Sequence, residues 1–260
     1  MIALTWLSVS SEPLQPSRLT LIRHGESNVT VDRVIGGRIT CSGLSALGRR
    51  QSEAFADRMV TTGELVPDVL LASDFLRAIE TADIIRPSLG PVVAEQPIEQ
   101  WRDFGEHDPG PDIDGMTFKA YVEEFGSPDW TGDPDSIIFP GGETLRQFHA
   151  RIELGLAEVR RRFAGKHVAI ACHGGVIDAV TRSFCGLGIT GGPDFRAKNT
   201  SITEFVAPTA AGWGWRVARF NDAAHLAGLP ASTAAGDPPA STSADSSPDD
   251  AGTEPTGTTG

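Results

Sequence analysis

"LTLIRHGES", Leu19 to Ser27, begins as an apolar run and breaks off into an arginine, a histidine, a glycine and a glutamate. A short apolar run closed by a glycine reads as a buried strand of a parallel sheet. The same grammar returns in "HVAIACHGGV", His167 to Val176, where a second apolar run ends in His173 followed by two glycines. Between and beyond these junctions, strands and helices alternate. The spacing predicts a helix over "LGRRQSEAFADRMV" and a strand at "DVLLAS" that runs into a helix over "SDFLRAIETADII". Ser73 or Asp74 is the expected cap of that helix. A third strand is expected around "PVVAE", and a long helix over "GETLRQFHARIELGLAEVRRRF" carries the stripe Leu145, Phe148, Ile152, Leu156, Val159 and Phe163. A helix over "VIDAVTRSFCGLG" follows His173, and "SITEFVAP" and "WGWRV" are expected to pair at a sheet edge. Alternation of this kind implies an α/β fold around a mostly parallel sheet.

The stretch from Trp101 to Gly142 is different, rich in Asp, Pro and Gly, with one short helix expected at "MTFKAYVEEF". Loops of this length in a compact domain usually carry function. Phe104, Phe118, Tyr121, Phe125 and Trp130 suggest an apolar lid there.

Residues 19–229 are expected to form one domain, preceded by an irregular leader, 1–18, and followed by a tail, 230–260. The tail has no Leu, Ile, Val, Met or aromatic residue and cannot bury enough apolar surface to order itself. It also carries Asp237, Asp245, Asp249, Asp250 and Glu254 with no base, so much of the net charge of -12 lies outside the domain. What remains on the domain is still negative, which argues against nucleic-acid binding. No run approaches a membrane span, and no signal peptide is read in the first ten residues. Three cysteines, Cys41, Cys172 and Cys185, imply neither a disulfide framework nor a zinc site and suit the cytoplasm. Cys172 reads as a core residue. Nothing in the pattern specifies an oligomeric state.

Ligands of open parallel sheets bind beyond the carboxyl ends of the strands. His24, the Ser73 to Arg77 segment and His173 all follow such ends, so one cleft would gather Arg23, His24, Arg77 and His173. Two guanidinium forks match a phosphoryl group, and a neutral imidazole can attack phosphorus if its other nitrogen is held by an acceptor. Gly25 would let the backbone come close enough to supply that acceptor. The expected ligand is a small organic phosphate ester, with no metal or cofactor needed because arginines would stabilise the transferring group.

Arg23-His24-Gly25-Glu26-Ser27, "SGLSALGRRQSEAFA", "SDFLRAIETA", "FPGGET", "ACHGGV" and the closing "RFNDAAHL" together resemble the histidine phosphatase superfamily, also called phosphoglycerate mutase-like, from Leu19 to Leu226. The resemblance implies a three-layer α/β/α sandwich and a metal-independent phosphomonoesterase working through a phosphohistidine. It implies His24 as nucleophile, Arg23 and Arg77 as phosphate ligands, and His173 as a second pocket histidine. A mutase and a non-catalytic phosphate binder are the alternatives. "WRDFGEH" lacks the Glu-Arg-His-Tyr-Gly stretch that mutases of this family typically carry, so hydrolysis leads.

Two positions depart from the family pattern. Thr30 stands where an Asn is common, with Asn28 two residues earlier as an alternative phosphate contact. Trp101 stands four residues before Gly105, where the proton-donor Glu is usual. Glu106 is the favoured general acid here, with Glu99 as runner-up. A general acid contributes roughly 100-fold to 10,000-fold.

Overall fold

The computed structural model describes residues 17–207 and 214–232. The expected leader and tail lie almost wholly outside the described residues, as does Trp213. Six strands form one sheet in the order β3-β2-β4-β1-β5-β6. They are β1 (Arg18–Arg23), β2 (Val69–Ser73), β3 (Glu99–Trp101), β4 (His167–Cys172), β5 (Ile202–Val206) and β6 (Arg216–Asp222). The first four run parallel, while β5 is antiparallel to β1 and β6 to β5.

The helices are α1 (Asn28–Val31), α2 (Ala46–Thr62), α3 (Leu76–Ile85), α4 (Pro91–Ala94), α5 (Phe118–Phe125), α6 (Leu145–Arg162) and α7 (Gly174–Cys185). Period-two alternation along β1 sends Leu19 and Leu21 to one face and Ile22 to the other. Leu19 and Leu21 join Val168, Ile170 and Cys172 in a core with Phe148, Ile152, Leu156 and Val159 of α6 and Val176, Ile177 and Val180 of α7. Ile22, Leu70, Ala169 and Ala171 face Phe55 and Met59 of α2 and Ala82 and Ile85 of α3. The result is the three-layer sandwich with a mostly parallel sheet.

Helix ends follow local chemistry. Thr144 and Gln147 form a reciprocal capping box at the start of α6, and the Ser45 side chain accepts from Gly48 N at the start of α2.

Three expectations change. "PVVAE" is not a strand: Pro91–Ala94 makes the single turn α4, entered through Gly90 at φ +97°, a conformation suited to glycine. The edge strand β3 comes later, at Glu99–Trp101, and pairs in parallel with β2. Neither Ser73 nor Asp74 caps α3, whose N-cap is Phe75 without a side-chain bond. Of the expected lid aromatics, Phe104 is fully buried in the central core instead. Tyr121 sits in a small separate core with Ile113, Ile138, Phe139 and Leu145, while Phe118, Phe125 and Trp130 are exposed. Residues Pro230 to Ser232, read as the start of the tail, reach back to the domain: Ser232 Oγ donates to Glu26 Oε2 at 2.6 Å.

Candidate active site

β1, β4 and β2 are adjacent in the sheet, so their carboxyl ends bring three loops to one edge. His24 follows β1, His173 follows β4 and caps α7, and Ser73 ends β2 before α3. The rings of His24 and His173 pack edge to face with centroids 5.0 Å apart.

Both rings have defined proton positions. His24 Nδ1 lies 2.6 Å from the Gly25 carbonyl, which can only accept, so Nδ1 carries the proton and Nε2 keeps its lone pair. His173 Nδ1 accepts from Arg77 Nε at 3.3 Å, because a guanidinium can only donate. Nε2 of His173 therefore holds the proton and donates to Ser73 Oγ at 2.7 Å. This bond explains why Ser73 does not cap α3. Its hydroxyl serves His173 and accepts from Phe75 N at 3.2 Å.

Burial pushes the pKa of His24 well below its ordinary value, and the positive charges of Arg77 and Arg23 push it the same way. His173 is lowered by the same causes, burial first and Arg77 next. Both imidazoles are neutral at physiological pH.

The turn that carries His24 is held from several sides. Gly25 N donates to Thr81 Oγ1, Glu26 N to Gln51 Oε1, and Asn199 Nδ2 to the His24 carbonyl. Asn199 belongs to the segment that enters β5, where Thr200 takes the left-handed φ of +52°. Glycine at position 25 is required by close packing: a Cβ there would collide with the Gly48 carbonyl in the first turn of α2.

Arg77 is almost fully buried, and its Nη1 reaches the Gly36 carbonyl and Cys41 Sγ at 3.4 Å each. Arg23 Nη1 donates to the Ala197 carbonyl at 2.5 Å. Its guanidinium also passes Gly174, where a Cβ would lie 3.6 Å from Arg23 Cζ. Both guanidinium groups thus stand around the histidine pair, at the start of α7 and beside its neighbour loop.

The acid-loop residues separate. Glu106 Oε2 accepts from Gly175 N at 3.2 Å, in the first turn of α7 and two residues past His173. Glu99 is elsewhere: Arg162 holds its carboxylate through two bonds of 2.8 Å on the edge strand. Trp101 stacks on Phe104 and faces Phe163, with Arg162 over its ring. His107 is buried against Trp130, Phe139 and Phe148, and burial lowers its pKa.

Asn28 Nδ2 donates to the Ser42 carbonyl at 3.2 Å, and the residue lines a cavity of about 690 Å³ with Glu26, Ser45, Arg50 and Pro230. Thr30 Oγ1 contacts Ser27 Oγ at 2.9 Å.

Arg151, on α6 outside its apolar stripe, organises the acid loop. Its Nη1 donates to the carbonyls of Asp103 and Gly105, and its Nη2 to that of Glu106 and to Glu143 Oε1. Such a role has no signal in local spacing, since the carbonyl partners lie more than forty residues away.

The histidine phosphatase superfamily (branch 1) profile matches residues 19–223. The uncharacterized phosphatase PhoE of Bacillus subtilis is 30% identical over 80% of this chain and 96% of its own length. The phosphoglycerate mutase-like protein 4 of Arabidopsis thaliana is 26% identical over 64% of this chain and 70% of that protein. Among solved structures, the alpha-ribazole phosphatase of Shigella flexneri superposes with a TM-score of 0.66 at 21% identity, covering 79% of this chain and 96% of that one. The profile spans most of the chain and takes in both strand-to-histidine junctions, so the chain belongs to the histidine phosphatase superfamily.

Proposed function

We propose that the chain hydrolyses monoesters of small organic alcohols in two steps, through a phosphohistidine on His24. The observation that carries this reading is the bond from His24 Nδ1 to the Gly25 carbonyl, which leaves Nε2 unprotonated beside His173 and Arg77. Nε2 attacks phosphorus and the ester P–O bond breaks, while Glu106 gives its proton to the departing alkoxide. Water then attacks the phosphohistidine, the P–N bond breaks, and the Glu106 carboxylate takes the proton. Arg23, Arg77 and His173 stabilise the equatorial oxygens, worth roughly 100-fold to 1,000-fold for each donor in comparable sites.

This chemistry asks for donors and a neutral imidazole rather than a metal. Membership of the family and a phosphatase-named relative support hydrolysis of phosphate monoesters over mutase chemistry. Three free cysteines support a reducing compartment, and so the cytoplasm. Among the described residues no helix is long and apolar enough to cross a membrane.

The test is phosphate release from a panel of monoesters in the presence of a chelator, with acid-quenched samples examined for phosphohistidine. Release that survives chelation, together with a label that His24→Ala lacks, is the expected result. Phosphate binding without label or release would replace the reading with a pocket-only binder.

A further inference from the structure

Beside the phosphate pocket, over the same phenyl ring as Arg77, stands a guanidinium that the reaction does not use. The Phe75 ring carries Arg77 Cζ at 4.5 Å and Arg38 Cζ at 4.9 Å from its centroid, and it packs against His173 with ring centroids 4.9 Å apart. Arg38 is therefore placed to meet the alcohol part of an ester whose phosphoryl group lies on Arg77.

Two carboxylates already neutralise it. Asp74 Oδ2 accepts from Arg38 Nε at 2.9 Å and Asp108 Oδ2 from Nη1 at 3.0 Å. Asp114 adds a third acid nearby, accepting from Gly37 N and Ile39 N in the segment that presents Arg38. One guanidinium among three carboxylates leaves this wall negative, so a second anionic group on the substrate would meet repulsion.

The ion pair is also incomplete. A carboxylate facing an arginine commonly engages Nε and Nη2 together as a fork. Here Asp74 engages Nε alone, and among the described residues neither Arg38 Nη2 nor Asp74 Oδ1 finds a hydrogen-bond partner, although both are buried. Buried orphans of this kind carry a desolvation penalty, and one donor with one acceptor is the complement of a hydroxyl group.

Resting on the phosphatase reading, we propose that Arg38, Asp74 and Asp108 form the leaving-group subsite and select phosphate esters of neutral, polyhydroxylated alcohols. Both side chains are only partly buried, and a rotation that turns Asp74 Oδ1 and Arg38 Nη2 out of their closed positions lets a substrate hydroxyl donate to the first and accept from the second. Esters bearing a carboxylate or a second phosphate are disfavoured by Asp74 and Asp108.

The experiment compares kcat/KM for a hexose monophosphate and glycerol phosphate with phosphoglycerate and phosphoserine. In every case p-nitrophenyl phosphate, which has no hydroxyl, serves as the internal standard. The unmodified protein should favour the polyol esters over the carboxylate-bearing ones about tenfold or more. Arg38→Gln and the near-isosteric Asp74→Asn should each lower the ratio of polyol-ester to p-nitrophenyl phosphate turnover about tenfold to a hundredfold. A ratio is insensitive to the fraction of folded protein, so loss of stability does not mimic the effect. Preference for phosphoglycerate or phosphoserine, or ratios unchanged in both variants, overturns the subsite while p-nitrophenyl phosphate hydrolysis still upholds the phosphatase. Failure to turn over any ester, that standard included, overturns both.

Discussion

Gly25 and Gly48 pack backbone against backbone, and neither has room for a side chain. A Cβ on Gly25 would strike the Gly48 carbonyl, and one on Gly48 would strike the carbonyl of Glu26. The first turn of α2 is thus pressed against the turn that carries His24. Gly25→Ala or Gly48→Ala is expected to destabilise the protein by about 1–3 kcal/mol through overpacking. It should also lower kcat more than it raises KM, because the imidazole is displaced. Thermal melting and steady-state kinetics on the same preparation check this; a wild-type kcat in Gly25→Ala would contradict it.

Ser73 holds His173 in one tautomer. In Ser73→Ala, the Nε2 proton of His173 is left buried without its acceptor, a loss of about 1–3 kcal/mol. The ring can recover only by moving its proton to Nδ1, where Arg77 Nε already donates. Activity should fall at least tenfold, whereas Ser73→Thr, which keeps the hydroxyl, should retain much more. Equal activity in the two variants would show that the hydroxyl is not what matters.

The Arg151 to Glu143 pair is mostly buried, with side-chain exposures of 17% and 14%. Removing one member of a buried pair costs about 3–5 kcal/mol because its partner stays behind unpaired. Arg151→Lys keeps the charge but loses the fork that gathers the carbonyls of residues 103, 105 and 106. A misplacement of this kind can lower kcat about a hundredfold. The expected signature is a kcat loss with KM little changed, read alongside the melting temperature. A pure stability loss with kcat intact would mean that the acid loop does not depend on the clamp.

All six histidines of the chain have pKa values below the ordinary 6.5, with burial the leading cause in each. His167 and His225 are lowered to about 4. Below the unfolded value of about 6.5, the unfolded chain binds protons that the folded one refuses. Stability is therefore intact above that value and falls as pH drops toward 4, before most carboxylates titrate. Lower still, Asp222, Glu64 and Glu99, whose pKa values are lowered first of all by bonds from arginines, add to the loss. Melting temperatures from pH 8 to 4 should decline from about 6.5 downward. A flat profile between pH 7 and 5 would refute this.

Much of the fold was legible because β1, β4 and α6 each show a regular pattern: continuous apolar runs buried on both faces in the strands and a helical stripe in α6. The histidine junctions stood out since apolar runs rarely end in such polar groups. β3 was not legible: "EQW" is three residues long with two of them exposed, and it shows no alternation. "PVVAE" misled because its β-branched pair suggests extension, while Gly90 and Pro91 impose a turn. Glu106 could be named from its loop, but its contact with Gly175 depends on packing between α7 and a distant segment. Arg151, Asn199 and Ser73 act across separations of 45, 175 and 100 residues, where no periodicity reaches.

The position of β1 bears on how the molecule is made. This early strand lies between β4, paired from Arg18↔His167, and β5, paired from Arg18↔Val206. Both neighbours are translated long after it, and Asn199, which bonds to the His24 carbonyl, arrives later than either histidine. A nascent chain that has produced "RHGES" therefore holds an unpaired apolar strand until β4, His167–Cys172, has emerged, at about 5–20 residues per second. During that interval, protection of β1 falls to chaperones or to transient pairing with β2 rather than to its eventual neighbours.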